Sequence, residues 1–247
     1  LISLAERREV VSIAGLGPWP AATNPDVFIR QHEEHIPLGL LRTVVPAAPD
    51  AWITALARYG TMSFAEVAAS AIRYAREGFA VHPVMAHFMN TYRDQYRMFP
   101  DNAAIWLNDG EPKKVGDLHV QADLARTIQF MADEETAARA HGDRAAGLEA
   151  ARAAFYKGDI AHAITKYHAE HDGWLTAEDM ANYHSPVEKP LSIEFAGHTI
   201  YSCQHWCQGP VMLQMLRLLD GVDLTGLGHN SADYIHTLAE TMKLAFA

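Results

Sequence analysis

Apolar positions along the chain follow two periods. Near the start, Glu9-Val-Val-Ser-Ile13 is a short apolar run bounded by the breaker cluster Gly15-Leu-Gly-Pro-Trp-Pro20, which predicts a strand and then a turn. Val44 and Val45, ahead of Pro46 and Pro49, predict another short extended piece. From Asp50 the spacing becomes helical. Asp50 is placed to cap a helix over 51–59, with Gly60 at its C′ position. Ser63 and Glu66 form a capping box for a second helix, whose Val67, Ala68, Ala71, Ile72 and Ala75 face inward and which Gly78 ends. Residues 83–98 read as a further helix. The span 101–116 reads as a loop or small hairpin around Asn108-Asp-Gly110. An alanine-rich region follows over 117–170, with breaks at Gly142, Gly147 and Gly158 and with Asp159 as a cap.

The final third alternates between the two periods. Thr176 and Asp179 resemble a capping box. Leu191-Ser-Ile-Glu-Phe195 alternates at period two, and Ala196-Gly197 turns it into His198-Thr-Ile-Tyr-Ser202, a hairpin. Pro210 suits the first turn of a helix bearing Met212, Met215, Leu216 and Leu219, closed by Gly221. In the last helix Asn230 is the expected N-cap, with Asp233 near the positive end of the dipole. Ile235, Leu238, Ala239, Met242, Ala245 and Phe246 share one face. The sum is mixed α and β, rich in helix, with no internal repeat and no obvious domain boundary.

Composition narrows the function classes. A hydrophobic content of 49% over 247 residues is ample for a core. A formal charge of −10 argues against a nucleic-acid partner, since no basic stripe accompanies it. No apolar run approaches the roughly 18–20 residues of a membrane span. The first residues are Leu-Ile-Ser-Leu and the last lie inside a helical pattern, which reads as a fragment, a processed subunit or a chain with missing ends. The compartment therefore stays open, with the cytoplasm slightly favoured over the periplasm. Cys203 and Cys207 are too few for a disulfide framework; four residues apart they could close a small loop disulfide, but free thiols are the expectation.

Tests for catalytic constellations come back empty. His32-Glu-Glu-His35 brings its second histidine one residue too early for a zinc-protease helix, so a solvated loop is expected. There is no G-x-S-x-G elbow and no P-loop, and Gly15-Leu-Gly17 lacks the third glycine of a dinucleotide site. Cys203-Gln-His205-Trp-Cys207 has three metal-ligand types but no second knuckle to complete a zinc site. His162, His168 and His171 are read as surface histidines. Glu134-Glu135 and Glu178-Asp179 are read as helix-end carboxylates.

Several longer phrases carry a different kind of information. They are Ala57-Arg-Tyr-Gly60, the run Glu66 to Phe79, Phe155-Tyr-Lys-Gly-Asp-Ile-Ala-His-Ala-Ile164, Trp174 to Tyr183, Pro190-Leu191, Leu213-Gln-Met-Leu216, and Gly228-His-Asn-Ser-Ala-Asp233 with its helix. Their order and number resemble the large-subunit portion of the gamma-glutamyltransferase (gamma-glutamyltranspeptidase) family. The resemblance implies an α+β N-terminal-nucleophile hydrolase, an αββα sandwich in which residues 1–247 form part of a single domain. It implies a precursor that cuts itself, a heterodimer with a small subunit from that precursor, a small-molecule amide substrate and no cofactor. The nucleophile would be a Thr at the start of the small subunit, which serves as its own base through its α-amine. No catalytic residue is then expected within this chain, Thr241 included.

The departures from the family are informative too. In the family, a strand like Val10-Val-Ser-Ile13 leads to an Arg that grips the donor's α-carboxylate; here that position falls on Leu16. Loss of a charge-assisted hydrogen bond there is worth about 1.5–3 kcal/mol. The family's proline- and serine-rich segment before the Leu213 helix is replaced by Cys203 to Pro210. The resemblance therefore implies a shifted substrate, a smaller amide such as oxamate. The rival is an ordinary gamma-glutamyl transferase with Arg42 as the carboxylate ligand. A further reading is a non-catalytic relative that uses the fold for binding or assembly.

Overall fold

A computed structural model describes all 247 residues. The strands are β1 (Ile2–Leu4), β2 (Glu9–Ile13), β3 (Phe79–Ala80), β4 (Leu107–Asn108), β5 (Glu111–Pro112), β6 (Leu118–His119), β7 (Val187–Glu188), β8 (Leu191–Phe195) and β9 (His198–Ser202). The first seven helices are α1 (Pro25–Gln31), α2 (Ala48–Tyr59), α3 (Phe64–Glu77), α4 (Pro83–Thr91), α5 (Arg93–Arg97), α6 (Pro100–Trp106) and α7 (Ala122–Arg139). The remaining six are α8 (Arg144–Tyr156), α9 (Asp159–Glu170), α10 (Ala177–Asn182), α11 (Gly209–Leu218), α12 (Leu224–Leu227) and α13 (Ala232–Phe246). The class is α+β and helix-rich, as expected. Two compact units emerge: one from residues 1–37, 42–54 and 182–247, the other from 38–41 and 55–181.

The first unit is built on antiparallel pairing. β2 is the middle strand of a β1-β2-β7 sheet, with Ile2 opposite Val11, Ser12 opposite Glu188 and Ile13 opposite Val187. β8 and β9 form the expected hairpin, with Leu191 opposite Ser202. Ala196 and Gly197 both have positive φ (49° and 78°), the twist that a two-residue hairpin turn requires. α11 packs against this hairpin and against α13.

Four local expectations in this unit are corrected. α13 is capped by Ser231, whose extended backbone lets Oγ accept from Tyr234 N at 3.1 Å. Asn230, at φ 58°, lies in the left-handed region instead. The buried residues of α13 are Thr241 and Ala245, while Ile235, Met242 and Phe246 of the expected inner face are exposed. Asp50 does not cap α2, which starts two residues earlier at Ala48. Cys203 and Cys207 are bonded, not free. A turn in which Cys207 N donates to Gln204 O brings their Cα atoms to 6.7 Å, within disulfide reach.

In the second unit α7 packs against both α3 and α8. The inward residues are Phe64, Ala68, Ile72 and Ala75 of α3, Ala125, Met131 and Ala132 of α7, and Leu148, Ala151 and Ala154 of α8. Val67 and Ala71 are exposed, so the inner stripe of α3 is narrower than its apolar composition suggested. The capping box is present: Ser63 Oγ accepts from Glu66 N at 3.1 Å, and Glu66 Oε2 accepts from Ser63 N at 2.7 Å. Those bonds from Ser63 hold the Glu66 carboxyl below its usual range.

Other elements of this unit differ from the sequence reading. The 83–98 helix breaks at Tyr92, and 100–106 is helical rather than looped. Asn108-Asp-Gly110 does turn a hairpin, with Asp109 and Gly110 at φ 50° and 80°. Gly147 lies inside α8 instead of ending a helix: a Cβ there would come within 2.4 Å of Arg139 Cγ, so the residue serves close helix approach. α9 is capped at Gly158, with Asp159 in its first turn. His168 is buried against Gly173 rather than on the surface, and burial lowers its pKa. Glu135 is fully buried and lies more than a turn before the end of α7. It caps the neighbouring helix α3, accepting from Phe64 N at 2.9 Å and Ala65 N at 2.8 Å.

Candidate substrate-binding loop

The loop that follows β2 is held mainly by backbone contacts. Ala14 N donates to Pro186 O at 2.9 Å, which carries the β2–β7 pairing one residue further. Pro18 O accepts from Val45 N at 2.9 Å. Gly17 lies so close to the same segment that a Cβ would meet Val45 O at 1.8 Å. Val44 and Val45 therefore form no strand. They give the loop a floor, and Val45 is 1% exposed. Trp19 packs its ring on Phe28 of α1 at 5.9 Å.

Leu16 stands on this loop between Gly15 and Gly17, 51% exposed. Arg42 lies on the segment that continues to Val45, but its guanidinium is engaged locally. Nε donates to Pro37 O at 3.0 Å and Nη2 to Ile36 O at 2.6 Å. The two candidate residues thus occupy adjoining segments joined by the Val45–Pro18 bond.

A buried polar anchor stabilises the same region. The Asp50 carboxylate is buried in the first turn of α2; Oδ2 accepts from Ser185 N at 2.6 Å and from Thr54 Oγ1 at 3.4 Å. Tyr183 OH lies 3.3 Å from Ser185 Oγ. Burial pushes the Tyr183 phenol up, an effect offset in part by the Ser185 bond and reinforced by the Asp50 charge. This anchor escaped sequence reading because its partner is 135 residues away. An aspartate inside an apolar run was the available signal.

The segment before α11 is fastened as well. Gln204 Nε2 donates to Lys189 O at 2.7 Å, and Trp206 Nε1 donates to Glu188 Oε2 at 2.9 Å. With both sulfurs in a disulfide, Cys203 and Cys207 offer no thiolate to a metal. His32 and His35 fall at the end of α1 and in the turn after it. No helix is long and apolar enough to cross a membrane.

The first unit holds a small antiparallel sheet feeding a stapled loop and the second is rich in helix, an α+β composition that similarity to known proteins makes specific. The family model for gamma-glutamyltranspeptidase matches residues 1–247, and the chain belongs to that family. It is 31% identical to an acylase ACY 1 proenzyme of Pseudomonas sp. (strain V22), over 100% of this chain and 43% of that protein. It is 32% identical to a glutathione hydrolase proenzyme of Escherichia coli (strain K12), over 84% of this chain and 33% of that one. The crystal structure of Helicobacter pylori gamma-glutamyltranspeptidase superposes with a TM-score of 0.85 at 25% identity, covering 99% of this chain and 67% of that chain. The chain spans less than half the length of these two proenzymes.

Proposed function

We propose that this chain is the large-subunit part of a self-cleaving amide hydrolase whose donor is a small amide rather than glutathione. Residues 1–247 then form part of one N-terminal-nucleophile domain, and the partner is the small subunit from the same precursor. A Thr at the start of that subunit attacks the amide carbonyl through Oγ while its α-amine takes the proton. The amine leaves, and the acyl-enzyme passes to water or to another amine.

One observation carries the shift of substrate. Leu16 is apolar and half exposed on a loop whose neighbour Gly17 is seated on the Val45 backbone. A donor carboxylate at that position would meet the Leu16 side chain where the family places a guanidinium. Arg42 already donates from Nε and Nη2 to the Pro37 and Ile36 carbonyls. Similarity to an acylase along the whole chain supports amide chemistry on other acyl groups. Similarity to a glutathione hydrolase favours the second reading, gamma-glutamyl transfer with Arg42 released from its loop as carboxylate ligand.

The experiment is N-terminal sequencing of the full-length gene product, followed by assays on glutathione and on simple amides. Two amino termini, the second a Thr, together with amide turnover and negligible glutathione turnover are expected. A single uncut polypeptide would favour a binding role instead. Leu16→Arg is expected to raise kcat/KM for a gamma-glutamyl donor about 10- to 100-fold, the value of one charge-assisted hydrogen bond. Wild-type glutathione turnover at the level of a family glutathione hydrolase would sink the substrate assignment.

A further inference from the structure

A buried pair of titratable groups lies in the second unit. His119 of β6 is 0% exposed and Lys113, one residue beyond β5, is 7% exposed. Lys113 Nζ is 3.1 Å from His119 Nδ1 and donates to Ile105 O in α6, also at 3.1 Å. On the other edge of the imidazole, the Gln121 side-chain amide is 2.9 Å from Nε2. Trp106 stacks on the ring at 5.0 Å and Phe79 of β3 meets it edge-on at 5.5 Å. One imidazole therefore joins α6, the end of the β4–β5 hairpin and the β3–β6 pair.

The contact between the two nitrogens needs one hydrogen and one lone pair. Either an ammonium donates to a bare Nδ1, or Nδ1–H donates to an amine, and the Gln121 amide can present oxygen or nitrogen to suit. Neither arrangement survives when both groups are protonated, because two cations then face each other where water cannot screen them. We propose that Lys113 and His119 form an acid-sensitive latch, which opens the 105–119 segment when the imidazole takes up a second proton.

The surroundings supply one counter-charge, Asp117, and it acts on Lys113 rather than on the imidazole. α6 supplies a carbonyl and the Trp106 ring, and β3 supplies the Phe79 ring. The Asp117 carboxylate already accepts from Lys114 N at 2.8 Å. Arg97 grips the hairpin turn through Gly110 O and Glu111. Burial, then the Lys113 charge, lowers the imidazole pKa below its ordinary value of 6.5. Stability from the neutral ring is therefore complete above pH 6.5 and is lost as pH falls through the lower folded value. The bonds that would loosen are Val81 N to Asp117 O and Gly116 N to Val81 O, each 2.9 Å, together with the pairing of Phe79 with His119.

Amide hydrogen exchange on the intact protein between pH 7.5 and 5, corrected for the intrinsic rate, tests the latch. Exchange in 105–119 should rise by about tenfold or more on acidification while α3, α7 and α8 stay protected. Lys113→Met should shrink that rise, since a protonated His119 then faces no cation. His168→Gln should leave it unchanged, which separates the latch from the other buried histidine. Direct titration of the His119 ring in the wild type serves where a variant fails to fold, and its midpoint should coincide with the opening. A ring midpoint at or above 6.5, or equal exchange profiles in wild type and Lys113→Met, would overturn the proposal.

Discussion

Replacing Glu135 with Ala is expected to lower the melting temperature by about 6–20 °C, from a loss of about 3–5 kcal/mol. The wild-type carboxylate accepts from Phe64 N and Ala65 N at 2.9 and 2.8 Å, two of the amides that a helix start leaves without an intrahelical partner. The positive end of the α3 dipole reinforces the attachment. Alanine leaves buried Phe64 without its acceptor, in a site water does not reach, and also opens a void between α3 and α7. Glu135→Gln should recover about half of the loss, because one amide oxygen can still accept while the NH2 faces a second donor. Thermal unfolding by circular dichroism reads both variants. A shift below about 2 °C for the alanine variant would show that the packing of α3 on α7 is sufficient without the carboxylate.

Gly17→Ala should have the largest effect in the first unit, while Gly15→Ala should have almost none. The added methyl at Gly17 would meet the Val45 carbonyl oxygen at 1.8 Å and its carbon at 2.7 Å, and both obstacles are backbone. No rotamer relieves that overlap, so the loop must leave its floor and surrender the Val45–Pro18 bond. We expect a cost of about 3 kcal/mol or more, at the upper end of overpacking penalties. At Gly15 the nearest atom to such a methyl is Ala51 Cβ at 3.7 Å, ordinary contact distance. That change should be neutral or stabilising by up to about 1 kcal/mol, through the unfolded chain. Melting temperatures and limited proteolysis of the 14–20 loop, measured side by side, check the contrast. If the loop presents Leu16 to a substrate, Gly17→Ala should also reduce turnover out of proportion to the folded fraction.

Both predictions turn on contacts that no sequence window contains, and this marks how much was legible beforehand. β2, the β8–β9 hairpin, the Ser63–Glu66 box and the Asn108-Asp-Gly110 turn follow from residues within a few positions of one another. Gly147 and His168 were misread because a glycine looks like a breaker and a polar ring looks exposed until the neighbouring helix or loop is in place. Cys203 and Cys207 are near neighbours, yet their state depended on the turn at Gln204, which their spacing alone does not specify. Of the candidate site, Leu16 was reached through family resemblance rather than through any chemistry of leucine.

What the chain determined by itself is therefore local and familial: many of the helices, strand β2 and the β8–β9 hairpin, where several of them begin, and which family it belongs to. Those properties depend on backbone dihedral preferences and short hydrogen bonds, whose energies are set within one or two turns. Only the tertiary structure decided which charges are buried and what they hold. Glu135 reaches amides 71 and 70 residues away and Asp50 reaches one 135 residues away, separations at which no periodicity or spacing rule selects a partner. Burying a carboxylate is favourable only where donors already converge on it, and that convergence is a property of the packed fold.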